Sequence, residues 1–121
     1  MKKLIAIALL AAPCASFAGH LDVIETKLNQ GCSLANYLAV VKDINEWGKG
    51  YGYKAEILVP LQRANLETFY WVGRSSSTES FGKAWDAWRD ALANPDSVAA
   101  KLNARLDACG TSLNRSGMDT Y

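Results

Sequence analysis

The first eighteen residues limit what the rest of the chain can become. Lys2 and Lys3 precede an uninterrupted apolar run, Leu4 to Ala12, and Ser16-Phe17-Ala18 puts small residues at the two positions a signal peptidase reads. That run is too short to span a bilayer as a permanent helix. Residues 1–18 are therefore expected to be a cleaved export signal, with Gly19 opening the mature chain. What remains, residues 19–121, is 103 residues long. That is enough for one domain with one core and too little for two.

The chain carries 13 basic and 12 acidic residues, and two lysines leave with the signal, so 11 face 12 in the mature part. A near-neutral balance without basic clusters argues against nucleic acid, whose phosphates need a concentrated positive face. It argues equally against an electrostatic membrane patch. A soluble periplasmic or secreted product is expected. Export also makes the cysteines readable. Cys14 falls in the signal, and the Ala11-Ala12-Pro13 before it lacks leucine and places proline at the cut, unlike a lipidation site. Cys32 and Cys109 remain, and in an oxidising compartment an even pair is expected to form a disulfide. A redox or metal pair has less behind it, since there is no CxxC and the only histidine is His20.

Patterning predicts the order of elements. Leu21 to Leu28 is rich in branched residues and reads as a strand, broken by Asn29-Gln30-Gly31. Ser33 is a good N-cap for a helix with Leu34, Tyr37, Leu38, Val41, Ile44 and Trp47 at helical spacing, ended by Gly48. Tyr53 to Leu61 alternates, with Tyr53, Ala55, Ile57, Val59 and Leu61 on one face and Pro60 marking an edge or bulge. Thr68 to Arg74, with Phe69, Tyr70, Trp71 and Val72 in succession, is expected to be a strand buried on both faces. Ser76 and Glu79 fit a capping box for a second helix with Phe81, Ala84, Trp85, Trp88 and Leu92 as its inner stripe. That helix is interrupted near Pro95, recapped by Asp96, and continues through Val98, Leu102, Leu106 and Cys109. The tail from Thr111 offers only Leu113, Met118 and Tyr121 as apolar points, and a short edge strand there is left open.

Strand, helix, strand, strand, helix, possible strand is the ferredoxin-like order, an α+β fold with two helices on one face of an antiparallel sheet. In it the start of the first helix lies near the end of the second. Cys32 and Cys109 occupy those two places, so the bridge joins points the fold already brings together.

The run Ala55-Glu56-Ile57-Leu58-Val59-Pro60, then Phe69-Tyr70-Trp71-Val72-Gly73, then a helix with Phe81, Trp85 and Trp88, resembles the dimeric α+β barrel superfamily. The likeness spans most of the mature chain and rests on element order and hydrophobic texture. It implies a homodimer whose sheets pack face to face with the helices outside, and that group includes the antibiotic-biosynthesis-type monooxygenases. Its haem-binding members use a proximal histidine in the helical part. This chain has none there, so no haem, and no cofactor of any kind, is expected.

Four tryptophans, Trp47, Trp71, Trp85 and Trp88, are many for so small a domain. They suit an aromatic pocket for a flat or apolar ligand, with Tyr37, Tyr70 and Arg74 as its polar tips. They suit equally a filled core with indole N–H groups at its edge. An open cavity among Trp71, Trp85 and Trp88 would favour the pocket. Arg74 could hold a phenolate or carboxylate, or only carry its stem out over Trp71 to water. After cleavage the free amine, the His20 amide and its imidazole could chelate Cu(II), though a copper brace needs a second histidine; otherwise His20 belongs to a disordered terminus. No carboxylate pair is spaced as acid and base, and Ser75-Ser76-Ser77 lacks a histidine partner, so no catalytic residue is assigned. A non-enzymatic binding homodimer is therefore expected first. A cofactor-free monooxygenase acting on an aromatic substrate comes next, and a structural or assembly protein third.

Overall fold

Leu21, Val23, Ile24 and Thr26 put branched side chains on both faces of β1, His20–Leu28, an inner strand of a four-stranded antiparallel sheet. The computed structural model describes residues 19–121, so the export signal read at 1–18, with Cys14, lies outside the described residues. After β1 come α1 (Leu34–Gly48), a single 3-10 turn (Lys49–Tyr51), β2 (Lys54–Leu58) and β3 (Thr68–Ser75). Two further helices, α2 (Thr78–Leu92) and α3 (Val98–Cys109), lead into β4 (Gly110–Asp119). The sheet order is β2-β3-β1-β4, the ferredoxin-like arrangement.

All three helices cover one sheet face. Tyr37, Val40, Val41 and Ile44 from α1 and Leu102 and Cys109 from α3 close over Phe69 and Trp71 of β3. Tyr37 meets Phe69 edge-on, with centroids 4.9 Å apart. Burial pushes the Tyr37 phenol above its usual pKa, so it stays neutral. The Cys32–Cys109 disulfide, with Cα atoms 5.2 Å apart, ties the start of α1 to the end of α3. Asn29 completes that junction by donating its side-chain amide to the carbonyls of Asp107 and Ala108, which no helical N–H reaches.

Several sequence expectations shift by a residue or more. Ser77, not Ser76, caps α2, accepting the Ser80 N–H at 3.0 Å, and Glu79 is drawn instead to Lys83. Ser97, not Asp96, caps α3. The break at Pro95 separates two helices. β2 stops at Leu58, because Pro60 cannot donate to a ladder, and Val59 and Leu61 are exposed. The tail is not a short edge strand but β4, the longest strand at ten residues, paired along β1 with a bulge between Glu25 and Thr26. Its Thr, Ser, Asn and Gly residues hide it from any hydrophobic pattern, since most of their side chains are exposed.

Register decides what each sheet face offers. On the helix side, Ile57, Trp71, Ile24 and Arg115 form one row across the four strands. The next row is Ala55, Gly73, Asp22 and Gly117, small except for one acid. The opposite face carries Leu21, Val23, Leu58, Tyr70, Val72 and Met118; the helices lie on the other side, and Arg63 of the β2–β3 loop reaches over Tyr70.

Candidate functional site

The small row lets Tyr53, just before β2, lay its ring across the sheet. A Cβ on Gly73 would fall inside the Tyr53 phenol, so only glycine permits this placement. The hydroxyl accepts the indole N–H of Trp71 at 2.6 Å. Its own proton must therefore point elsewhere. Burial pushes the Tyr53 phenol far above its usual pKa, an effect only partly offset by the Trp71 N–H, so the group remains a neutral donor.

Asp22 is 3% exposed and would be costly to bury alone. Arg115 of β4 answers it with two parallel bonds, Nε to Oδ1 and Nη2 to Oδ2, both 2.7 Å. This forked pairing fixes the guanidinium plane, and the same group lies 4.2 Å from the Trp85 ring centroid. Two linked pairs result, Trp71 with Tyr53 and Asp22 with Arg115, the second running on to Trp85. The first pair joins β3 to the residue before β2, and the second joins β1, β4 and α2.

Above these pairs the helices stand off the sheet and leave a cavity of about 180 Å³. Its aromatic walls are Trp47 from α1, Tyr53 from just before β2, Trp71 from β3, and Phe81, Trp85 and Trp88 from α2. Trp47 meets Trp88 edge-on at 4.9 Å, and Phe81 stacks with Trp85 at 6.5 Å. Asp22, Arg115, Ser112, Asn103 and Asp107 supply the polar part of the lining. The volume exceeds the ~150 Å³ that admits a benzene ring and falls below the ~300 Å³ at which drug-sized pockets begin.

Of the six residues singled out from the sequence, Trp71, Trp85 and Trp88 line this cavity and Tyr37, Tyr70 and Arg74 do not. Tyr37 is sealed in the core at 2% exposure. Tyr70 and Arg74 stand four residues apart on the opposite sheet face, where Arg63 donates to the Tyr70 hydroxyl and Arg74 pairs with Glu56. Strand alternation is the reason: Trp71 points to the helices, so its neighbour at 70 and the residue at 74 cannot. The sequence approach passed over Asp22, Tyr53, Phe81 and Arg115. An acid inside the apolar run Leu21–Ile24 and a tyrosine in phase with Ala55 and Ile57 were available signals. Arg115 had none, lying in an unpatterned tail.

His20 is not part of a disordered terminus. It opens β1 at 8% exposure, with its ring 4.5 Å from Phe81 and Nδ1 3.1 Å from Asp119 Oδ1. Thr78 also donates to that carboxylate, at 2.7 Å, and these two bonds hold the Asp119 carboxyl below its usual range. Among the described residues no group of three or more His, Cys, Asp or Glu is placed to hold a metal ion, and no helix is long and apolar enough to cross a membrane.

No protein-family model and no curated protein matches this chain. Solved structures do. SnoaB, a cofactor-independent oxygenase from Streptomyces nogalater, aligns with a TM-score of 0.56 over 86% of this chain and 94% of its own, at 13% identity. A conserved protein from Methanosarcina mazei aligns with a TM-score of 0.53 over 86% and 92%, also at 13% identity. The chain shares its ferredoxin-like fold with these structures. At such identities the likeness concerns the fold alone.

Proposed function

We propose that this chain is an exported binding protein whose cavity takes a small molecule built on one aromatic ring, and that it works as a homodimer. The observation that carries the ligand reading is the open space among Trp71, Trp85 and Trp88. Six aromatic residues wall a cavity of about 180 Å³ at a place where a filled core would leave none. The leader at 1–18 and the Cys32–Cys109 disulfide support export. The sheet face away from the helices, with Leu58 and Met118 half-exposed, supports a second copy packed there.

Oxygenation of a bound aromatic, the activity named for SnoaB, is the second reading. It would need a base to take a proton from the substrate. Asp22 is the buried carboxylate in the cavity wall, but both its oxygens are engaged by Arg115, and Tyr53 keeps its own proton. This arrangement favours binding over proton abstraction.

Ala84 is 4% exposed and lines the cavity from α2, so Ala84→Leu places a larger side chain into existing space. Calorimetric titration of the mature protein with p-cresol is expected to show binding that Ala84→Leu abolishes. Binding of equal strength in Ala84→Leu would move the ligand elsewhere, and no binding of single-ring compounds to the parent protein would favour a purely structural role.

A further inference from the structure

The charge of the cavity lining narrows the ligand class, an inference that rests on the binding function proposed above. Three ionisable side chains with full charge reach the lining: Asp22, Arg115 and Asp107. Asp22 and Arg115 neutralise one another through two 2.7 Å bonds. Asp107, exposed at the mouth, accepts a hydrogen bond from the Asn103 amide at 2.8 Å and has no basic partner among the described residues. One negative charge is therefore left over, set beside rings whose faces carry negative electrostatic potential.

The molecule already shows how such a wall treats a cation. The Arg115 guanidinium lies 4.2 Å from the Trp85 centroid, within the range of a cation–π contact. Trp47 and Trp88 pack edge to face on the helical side of the cavity, and Asn103 and Asp107 follow one another by one turn of α3. Aromatic walls with an uncompensated carboxylate at the mouth suit an ammonium group, which gains from the ring faces and from the carboxylate together. They oppose a carboxylate ligand, which would meet Asp107 and find Arg115 already forked onto Asp22.

We infer that the natural ligand is an organic cation, a single aromatic ring bearing an amine or alkylammonium group, with Asp107 as its counter-ion. The test is calorimetric titration of the mature protein at neutral pH with benzylamine, benzyl alcohol and benzoate, three ligands of one size and three charges. Benzylamine is expected to bind about tenfold more tightly than benzyl alcohol, with benzoate weakest. In Asp107→Asn the ratio of the benzylamine and benzyl alcohol constants is expected to fall to about one. Urea midpoints equal to the parent's confirm that the variant is folded, and Asp107→Glu is expected to restore the ratio. Equal binding of all three, or tightest binding of benzoate, overturns the cation while leaving the cavity as a binding site. A ratio unchanged in Asp107→Asn overturns the counter-ion assignment. Binding of none of the three overturns the inference and the proposed binding function together.

Discussion

Replacing Gly73 by alanine places a methyl group inside the phenol of Tyr53, and the strand backbone at 73 accepts alanine without strain because its φ is not positive. Tyr53 must then leave its place over the sheet. Forcing a side chain out of a packed site costs about 1–3 kcal/mol. Leaving the buried Trp71 N–H without its 2.6 Å acceptor adds about 1–3 kcal/mol. Against this, alanine restricts the unfolded chain and returns about 0.4–1 kcal/mol. The expected net loss is about 3 kcal/mol, a fall of roughly 1–3 M in the urea midpoint for a domain of this size. Tyr53→Leu removes the group that alanine strikes, so Gly73→Ala in that background should cost no more than about 0.5 kcal/mol, leaving a coupling of 2 kcal/mol or more. Urea unfolding of the four proteins, followed by tryptophan fluorescence with the disulfide intact, measures the cycle. A Gly73→Ala penalty that is the same with and without Tyr53 would refute the claim that glycine is there to seat the phenol.

Thiol counting on the denatured, unreduced mature chain is expected to find no free cysteine, and Cys109→Ser to destabilise by at most about 4–5 kcal/mol, as befits a loop of this length. Two free thiols, or unchanged stability, would be inconsistent with the bridge. Asp119 has its pKa lowered in the folded state, so the unfolded chain binds the proton first. Its contribution is present above the ordinary carboxylate range and lost as pH falls through the lowered value. Asp119→Asn should therefore flatten the acid limb of the stability profile, and an identical limb would refute the role of the Thr78 and His20 bonds. Tyr53 has the opposite sign. Its pKa is raised, so stability is complete below the ordinary tyrosine value and declines as alkali ionises the unfolded chain; in Tyr53→Phe that decline is expected to be shallower in alkaline urea melts. Sedimentation of the mature protein should give twice the chain mass, and Leu58→Glu, a change at a half-exposed site on the sheet face away from the helices, should give a folded monomer. A parent protein that is already monomeric would sink the proposed dimer.

Local pattern was enough for most of the fold. Alternation in β2 and β3, helical spacing in α1 and α3, and paired cysteines at two helix ends each depend on near neighbours along the chain, so residue order alone carries them. Pro60 and Pro95 likewise announced where a strand and a helix stop. The candidate site was less legible. Trp71, Trp85 and Trp88 stood out by residue type, but whether they fill a core or surround a space depends on how far α2 stands from the sheet. That spacing is set by Tyr53 lying over Gly73 and by Arg115 reaching from β4 to Trp85. Tyr70 and Arg74 share the aromatic strand with Trp71, but a strand sends alternate side chains to opposite faces, so sharing it does not place them in the pocket. Of β4 the sequence offers only a possible short edge strand, because a polar edge strand owes its length to the ladder offered by β1 and not to its own hydrophobic pattern. The Asp22–Arg115 pair joins residues 93 positions apart. Only the closing of the sheet could bring that acid and that base into one site, since a contact at such distance leaves no periodic trace along the chain.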